Sequence, residues 1–191
     1  MLLPDPTLCI GAPEWFAIER KPQKYELPSR FILVYFLGNI SKDRQQLLDF
    51  FAEHYDAKII NIYDIHHEDG IHNVDYYLTS PDEFIYLIHH AEFILTDSFH
   101  ACVFSILFHK QFIVFRWEEE HMDKMFSRID NLLNITGVNN CVYEGQDVKD
   151  IISKTINYTG VDERIRELAD KSKEYLESAL RERSTTIPLR K

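Results

Sequence analysis

Phe31-Ile32-Leu33-Val34-Tyr35-Phe36-Leu37 and Phe93-Ile94-Leu95-Thr96 are short, almost unbroken apolar runs. Neither alternates apolar with polar residues. Strands of that kind are buried on both faces, as in a parallel sheet covered by helices. The first run stops at Gly38-Asn39 and the second at Asp97-Ser98. Working outward, strand-like and helix-like segments alternate. A helix is expected over 41–54, with Leu47, Leu48, Phe50 and Phe51 on its apolar side, and a strand over 58–63. Residues 64–79 read as a polar loop. Ser80-Pro81-Asp82-Glu83 is a strong helix start, with a serine cap, proline at the first position and glutamate completing a capping box. Phe84, Leu87, Ile88 and Ala91 then form one apolar stripe. Further helices are expected over 98–109, 122–136, 148–158 and 162–183, with strands at 111–116 and 141–143. This order predicts an α/β, Rossmann-like parallel sheet of about five strands with helices on both faces.

Three segments follow from the same reading. Residues 1–29 hold five of the seven prolines and form a connector, with one helical turn near Pro13-Glu14-Trp15-Phe16. Trp15 and Phe16 suit packing on a second domain or on this domain's own core. Residues 30–160 form the α/β domain. Residues 161–191 form an amphipathic helix and tail, with Ile165, Leu168, Tyr175, Leu176, Ala179 and Leu180 on one side. Ile165 and Leu168 are expected to pack on the sheet, and Leu176 to Leu180 to be exposed or covered by another copy.

The 191 residues are 45% hydrophobic and 27% charged, an ordinary globular composition. No run is long and apolar enough for a membrane span, and Met1-Leu2-Leu3-Pro4 lacks the basic start of a secretory signal. Cys9, Cys102 and Cys141 show no metal or disulfide spacing, which points to a reducing, cytoplasmic setting. The net charge of -10 argues against nucleic acid as a partner. The charge is also unevenly spread: residues 59–109 contain no Lys or Arg but seven of the nine histidines. An anion bound there needs a histidine, a helix N-terminus or an arginine from further along the chain.

Ligands of open parallel sheets sit beyond the carboxyl ends of the strands. There Asp97 stands at a strand tip, Ser98 at a helix cap and His100 in the first helical turn. Free amides and the helix dipole favour anions at such a turn, and a histidine there can donate to a phosphate or carboxylate or transfer a proton. A capped turn with no ligand fits the same residues. Arg116, ending the next strand, and Arg128, in the following helix, suit bidentate anion binding. Surface ion pairing with Glu118, Glu119, Glu120 and Asp123 is the other reading, and the stronger one for Arg116. The cluster Asp64-Ile65-His66-His67-Glu68-Asp69-Gly70-Ile71-His72 has no metal-site spacing and reads as a solvated loop. His89 and His90 end a helix, where the dipole favours positive charge. No metal site and no glycine-rich nucleotide fingerprint is expected.

The run Ser80-Pro81-Asp82-Glu83-Phe84-Ile85-Tyr86-Leu87-Ile88, then Ala91, Thr96-Asp97-Ser98-Phe99-His100-Ala101-Cys102-Val103-Phe104-Ser105-Ile106, Lys110-Gln111-Phe112-Ile113 and Ser127-Arg128-Ile129 resembles the polysaccharide pyruvyl transferase family. Asp5-Pro6-Thr7-Leu8 and Ile32-Leu33-Val34-Tyr35-Phe36-Leu37-Gly38 resemble the second half of that family. Two positions depart from its pattern: Ala101 stands where glycine is usual and His109 where asparagine is usual. The resemblance implies the C-terminal domain of a GT-B-like fold, preceded in the family by an N-terminal domain. It implies transfer of a pyruvyl group from phosphoenolpyruvate to two hydroxyls of a sugar or lipid-linked oligosaccharide. The product is a ketal in surface polysaccharide biosynthesis, made in the cytoplasm, at or near the inner membrane face, with no cofactor beyond the co-substrate. It assigns His100 to the donor site, lets Arg128 add charge, and leaves Asp97 as base or as orienter of His100. It also implies that this half alone is inactive. Two other readings use the same fold: a nucleotide-sugar-binding half of a GT-B glycosyltransferase, and a non-catalytic Rossmann-like partner-binding module.

Overall fold

The structure, a computed structural model, describes residues 3–37, 42–62, 75–77, 79–116 and 123–184. The histidine-rich loop at 64–72, Gly38-Asn39 and Glu118, Glu119 and Glu120 lie outside the described residues. Six parallel strands form one sheet: β1 (Phe31–Tyr35), β2 (Lys58–Ile62), β3 (Asp75–Tyr77), β4 (Phe93–Thr96), β5 (Phe112–Phe115) and β6 (Val142–Tyr143), in the order β3-β2-β1-β4-β5-β6. That is the Rossmann order, with its reversal between β1 and β4. Ile32 pairs with Ile59 on one side and Phe93 on the other, so both apolar runs lie at the centre of the sheet. The sheet thus has one strand more than expected. β3 arises in the stretch read as a polar loop, because three residues are too few to show a period but enough to pair with Ile60–Ile62 of β2.

Successive residues of β1 face opposite layers. Phe31 and Leu33 point into one core with α3 (Pro81–His90), α4 (Phe99–Leu107), α5 (Asp123–Thr136) and the start of α7 (Val161–Ser184). Ile32 and Val34 point into the other, against α2 (Lys42–Tyr55) and α6 (Val148–Ile152). A helix apolar on every side must be covered on every side. Accordingly, Ala101–Leu107 of α4 is wholly buried. Its cover is partly the N-terminal segment. There α1 (Ala12–Phe16) sets Trp15 edge-on to Phe104 at 5.0 Å and Phe16 against Phe108 at 4.8 Å. The proline-rich segment therefore wraps its own domain.

The capping box at Ser80 forms as its residues require, with the Ser80 amide donating to Glu83 Oε2 at 3.0 Å. The helix expected over 148–158 stops at Ile152. The Gln111 side chain there accepts from the Ile156 amide at 2.7 Å and donates to its carbonyl at 3.2 Å, holding the chain extended beside β5. His109, the departure from the family's asparagine, sits at φ 51° just past α4, a left-handed site that asparagine enters readily. A ring stack on Tyr158 at 4.6 Å and a contact of Nε2 with Asp162 Oδ1 at 2.8 Å hold it there. In α7, Ile165 is buried while Leu176 and Leu180 are 53% and 65% exposed, as expected of the two ends of its stripe.

Candidate functional site

The carboxyl ends of β1 and β4 meet at the reversal of the sheet, and a buried polar knot fixes them. Thr96 Oγ1 donates to the Tyr35 carbonyl at 2.6 Å and accepts the Ser98 amide at 3.0 Å. Asp97 Oδ1 accepts the Leu37 amide at 2.6 Å, and Asp97 Oδ2 lies 3.5 Å from Arg44 Nη1. Arg44 also donates to the Arg116 carbonyl at 2.6 Å and lies over Phe36 and Phe115, 5.2 and 5.5 Å from their ring centres. Asp97 and Arg44 are both buried. A buried carboxylate facing a buried guanidinium holds geometry; losing either partner leaves a charge uncompensated.

Above this knot α4 begins. Ser98 is its N-cap and is buried, and its side chain makes no capping bond. His100, in the first turn, is exposed. Its ring contacts Phe99 edge-on at 5.5 Å. On the facing helix α5, the Arg128 guanidinium carbon lies over the Phe99 ring, 4.2 Å from its centre, a cation–π contact. Asp5 completes the group. Its Oδ2 lies 3.7 Å from Arg128 Nη2, and its Oδ1 accepts the Thr7 amide at 3.0 Å. Burial pushes the Asp5 carboxyl up. The hydrogen bonds with Thr7 and the positive fields of His100 and Arg128 outweigh it and hold the carboxyl below its ordinary value. A cavity of ≈ 290 Å³ lies beside them, lined by Asp5, Phe99, Arg128 and Asn131.

The structure thus brings together His100, Arg128 and, through Phe99, the start of α4. Asp97 lies beneath this rim rather than on it. Arg116 is drawn elsewhere: it stacks 4.1 Å over Phe126 and faces Asp130 at 3.3 Å and Glu144 at 3.8 Å. Among the described residues these are surface ion pairs, the kind of pairing expected for it; Glu118, Glu119 and Glu120 lie outside the described residues. Two members of the arrangement, Arg44 and Asp5, are not among the site residues expected from the sequence; Asp5 caps its own turn through the Thr7 amide, but both meet their charged partners only across the fold. A larger cavity of ≈ 620 Å³ opens beside Phe108, His109 and Asp162, at the C-terminal end of α4. It lies at the opposite edge of the sheet from the strand ends where ligands of this fold bind.

The fold places the chain in a recognisable class. It superposes on a UDP-GlcNAc 2-epimerase from Neisseria meningitidis bound to UDP-GlcNAc with TM-score 0.52 and 16% identity, over 89% of this chain and 50% of that one. It superposes on the glycotransferase of kitacinnamycin with TM-score 0.50 and 10% identity, over 83% and 46%. At such identities the likeness concerns the fold, which is GT-B-like, and the chain spans about half the length of these structures. Among curated proteins none matches the chain. The family model for polysaccharide pyruvyl transferase matches residues 1–119, well over half of the sequence. The chain belongs to the polysaccharide pyruvyl transferase family. The matched region contains Asp5, Asp97, Ser98, His100 and Arg116; Arg128 lies beyond it. Among the described residues no helix is long and apolar enough to cross a membrane.

Proposed function

We propose that this chain is the C-terminal half of a pyruvyl transferase and that His100 and Arg128 bind the anionic donor, phosphoenolpyruvate. The observation that carries this reading is Asp5. A carboxylate already lies against Arg128, in the field of His100, so the rim of α4 attracts a carboxylate-sized anion even in a chain of net charge -10. Free first-turn amides at Phe99 and His100 would add to that attraction.

Ketal formation begins with protonation of the donor's methylene carbon, which leaves an oxocarbenium-like centre at the carbon bearing the phosphate ester. One sugar hydroxyl adds there, phosphate leaves with the ester oxygen, and the second hydroxyl closes the ketal. The two hydroxyl protons balance the proton added to carbon and the one carried off by phosphate. His100 is exposed and within reach of a ligand on the rim, so it binds the donor and can give or take a proton. Arg128, held over Phe99, offers paired N–H donors to the phosphate or carboxylate. Ser98 lies in the turn that aims those amides. Asp97 acts as a positioning residue: buried against Arg44 and the Leu37 amide, it sets the tip of β4 and touches no substrate. Arg116 supports the same edge through its carbonyl.

In this reading the acceptor, a sugar or lipid-linked oligosaccharide, enters from the side of a second Rossmann-like domain, and the reaction runs at the cytoplasmic face of the membrane without a redox or nucleotide cofactor. The chain alone folds but does not turn over, because half of its cleft is supplied by that second domain. Isothermal titration of the chain with phosphoenolpyruvate, inorganic phosphate, and uridine and guanosine nucleotide-sugars tests the reading. Saturable phosphoenolpyruvate binding, stronger than that of phosphate, is expected. Binding of a nucleotide-sugar in its place would replace it with a glycosyltransferase-like function.

A further inference from the structure

Away from the strand ends, Glu19 faces two neighbouring histidines. Glu19 Oε2 lies 2.8 Å from His89 Nδ1, and Glu19 Oε1 lies 3.4 Å from His90 Nε2. From sequence, His89 and His90 are simply basic residues at a helix end; Glu19 carries no signal there. The fold brings all three together, with one potential ligand atom from each lying within 4.8 Å of the others. We propose that Glu19, His89 and His90 form a binding site for a zinc-class divalent metal ion, which staples the N-terminal segment to α3.

The geometry is close to what such an ion needs. Zinc binds imidazole nitrogen and carboxylate oxygen at about 2.0–2.2 Å, so neighbouring ligand atoms around a tetrahedral ion stand about 3.3 Å apart. The two carboxylate–imidazole separations already bracket that value. These contacts go to different oxygens of Glu19, so the carboxylate and the two ring nitrogens, all within 4.8 Å of one another, must draw together around the ion. Both rings are held by their faces: His89 stacks on Phe16 at 3.9 Å and His90 on Tyr86 at 4.0 Å. Stacking leaves the ring edges free to ligate, with their planes already set. Lys110 Nζ donates to the His89 carbonyl at 2.9 Å and so fixes the end of the helix from the backbone side. Two imidazoles and one carboxylate suit zinc, nickel, cobalt or copper rather than magnesium or calcium, which prefer all-oxygen shells. The partial exposure of His89 and His90 leaves room for water to complete the shell.

To ligate, each ring carries its proton on the nitrogen remote from Glu19 and presents the near lone pair, at His89 Nδ1 and His90 Nε2, to the ion. The carboxylate bonds the ion beside them. No redox change is involved. The staple would join residue 19 to residues 89 and 90, reinforcing the contacts of Phe16 with His89 and of Arg20 with Asp82, which lie at 3.9 and 2.7 Å.

The experiment uses the full chain without a histidine tag, stripped with a chelator, and zinc as the probe. Calorimetry should find one saturable site outside the 64–72 loop. A hundredfold excess of zinc over its dissociation constant should raise the thermal midpoint by roughly 5–10 °C. Glu19→Gln and His90→Asn should each weaken binding at this site at least tenfold; His90 is exposed, so that variant keeps the fold. The triple variant His66→Asn, His67→Asn, His72→Asn removes the other histidine cluster and should leave both the site and the midpoint rise in place. The proposal is overturned if wild type binds no zinc saturably, which would leave a hydrogen-bonded clasp only. It is equally overturned if binding survives Glu19→Gln and His90→Asn but disappears in the triple variant.

Discussion

Asp97 Oδ1 accepts the Leu37 amide at 2.6 Å, joining the tip of β4 to the chain leaving β1 where the strand order reverses. The other carboxylate oxygen faces Arg44. One side chain thus closes the sheet at the point where ligands of this fold bind, and anchors the turn from which α4 and His100 emerge. Removing one member of a buried ion pair costs about 3–5 kcal/mol, because the other stays charged and desolvated. Asp97→Ala should therefore destabilise the chain by about that amount in a denaturant titration. Arg44→Met combined with Asp97→Asn should cost less than the sum of the two single changes. Strict additivity would show that the pair is not coupled.

His100 is exposed, and its ring contact among the described residues is the edge-on one with Phe99. His100→Ala should shift stability by no more than about 0.5 kcal/mol, as for most surface changes. The same variant should abolish phosphoenolpyruvate binding. A variant that binds like wild type would remove His100 from the donor site.

Asp5 has its carboxyl held low by Thr7, His100 and Arg128 against the opposing effect of burial. A depressed folded value stabilises the fold above the unfolded value, about 3.9, and that contribution is lost as pH falls through the lower folded one. Asp5→Asn should thus be less stable than wild type at neutral pH, with the two melting curves converging as pH falls below the lowered folded value. The same change removes an anion that competes with the donor, so phosphoenolpyruvate should bind more tightly to it. Weaker binding would mean that Asp5 orients Arg128 rather than competing for it.

Cysteine chemistry separates the three thiols. Burial pushes Cys102 well above the ordinary range, and burial pushes Cys141 up to about 12. Cys9 is exposed. A thiol reagent at pH 8 should titrate one cysteine per native chain and three after unfolding in guanidinium. Rapid reaction of a second thiol would contradict the packing of α4 against β6 and its approach.

The two ends of α7 should respond oppositely. Ile165→Ala removes a buried side chain and should cost about 2–4 kcal/mol. Leu176→Lys with Leu180→Lys should leave the melt nearly unchanged, since both side chains are in solvent. A large loss from the lysine pair would show that a second copy covers that end in solution.

Much of this protein is local in its sequence. The runs at Phe31 and Phe93 are apolar on both faces, so they are central strands wherever they are placed. Ser80, Pro81 and Glu83 start a helix through bonds that span three residues. Ser98-Phe99-His100 sets a histidine in a first turn for the same local reason. Other features depend on distance in space. β3 is a strand only because β2 offers it an edge. Residues 153–158 leave the helix because Gln111 takes up the Ile156 backbone. Arg44 reads as one more polar residue of α2 until the sheet brings Asp97 and the Arg116 carbonyl to it. Asp5 and Glu19 sit in a proline-rich segment without helical or strand periodicity; they gain charged partners when that segment folds back over α4 and α3. Backbone periodicity is set by neighbours a few residues away and can be read along the chain. The partner of a buried or bridging charge is chosen by packing, which joins residues far apart in the sequence and leaves no periodic trace in it.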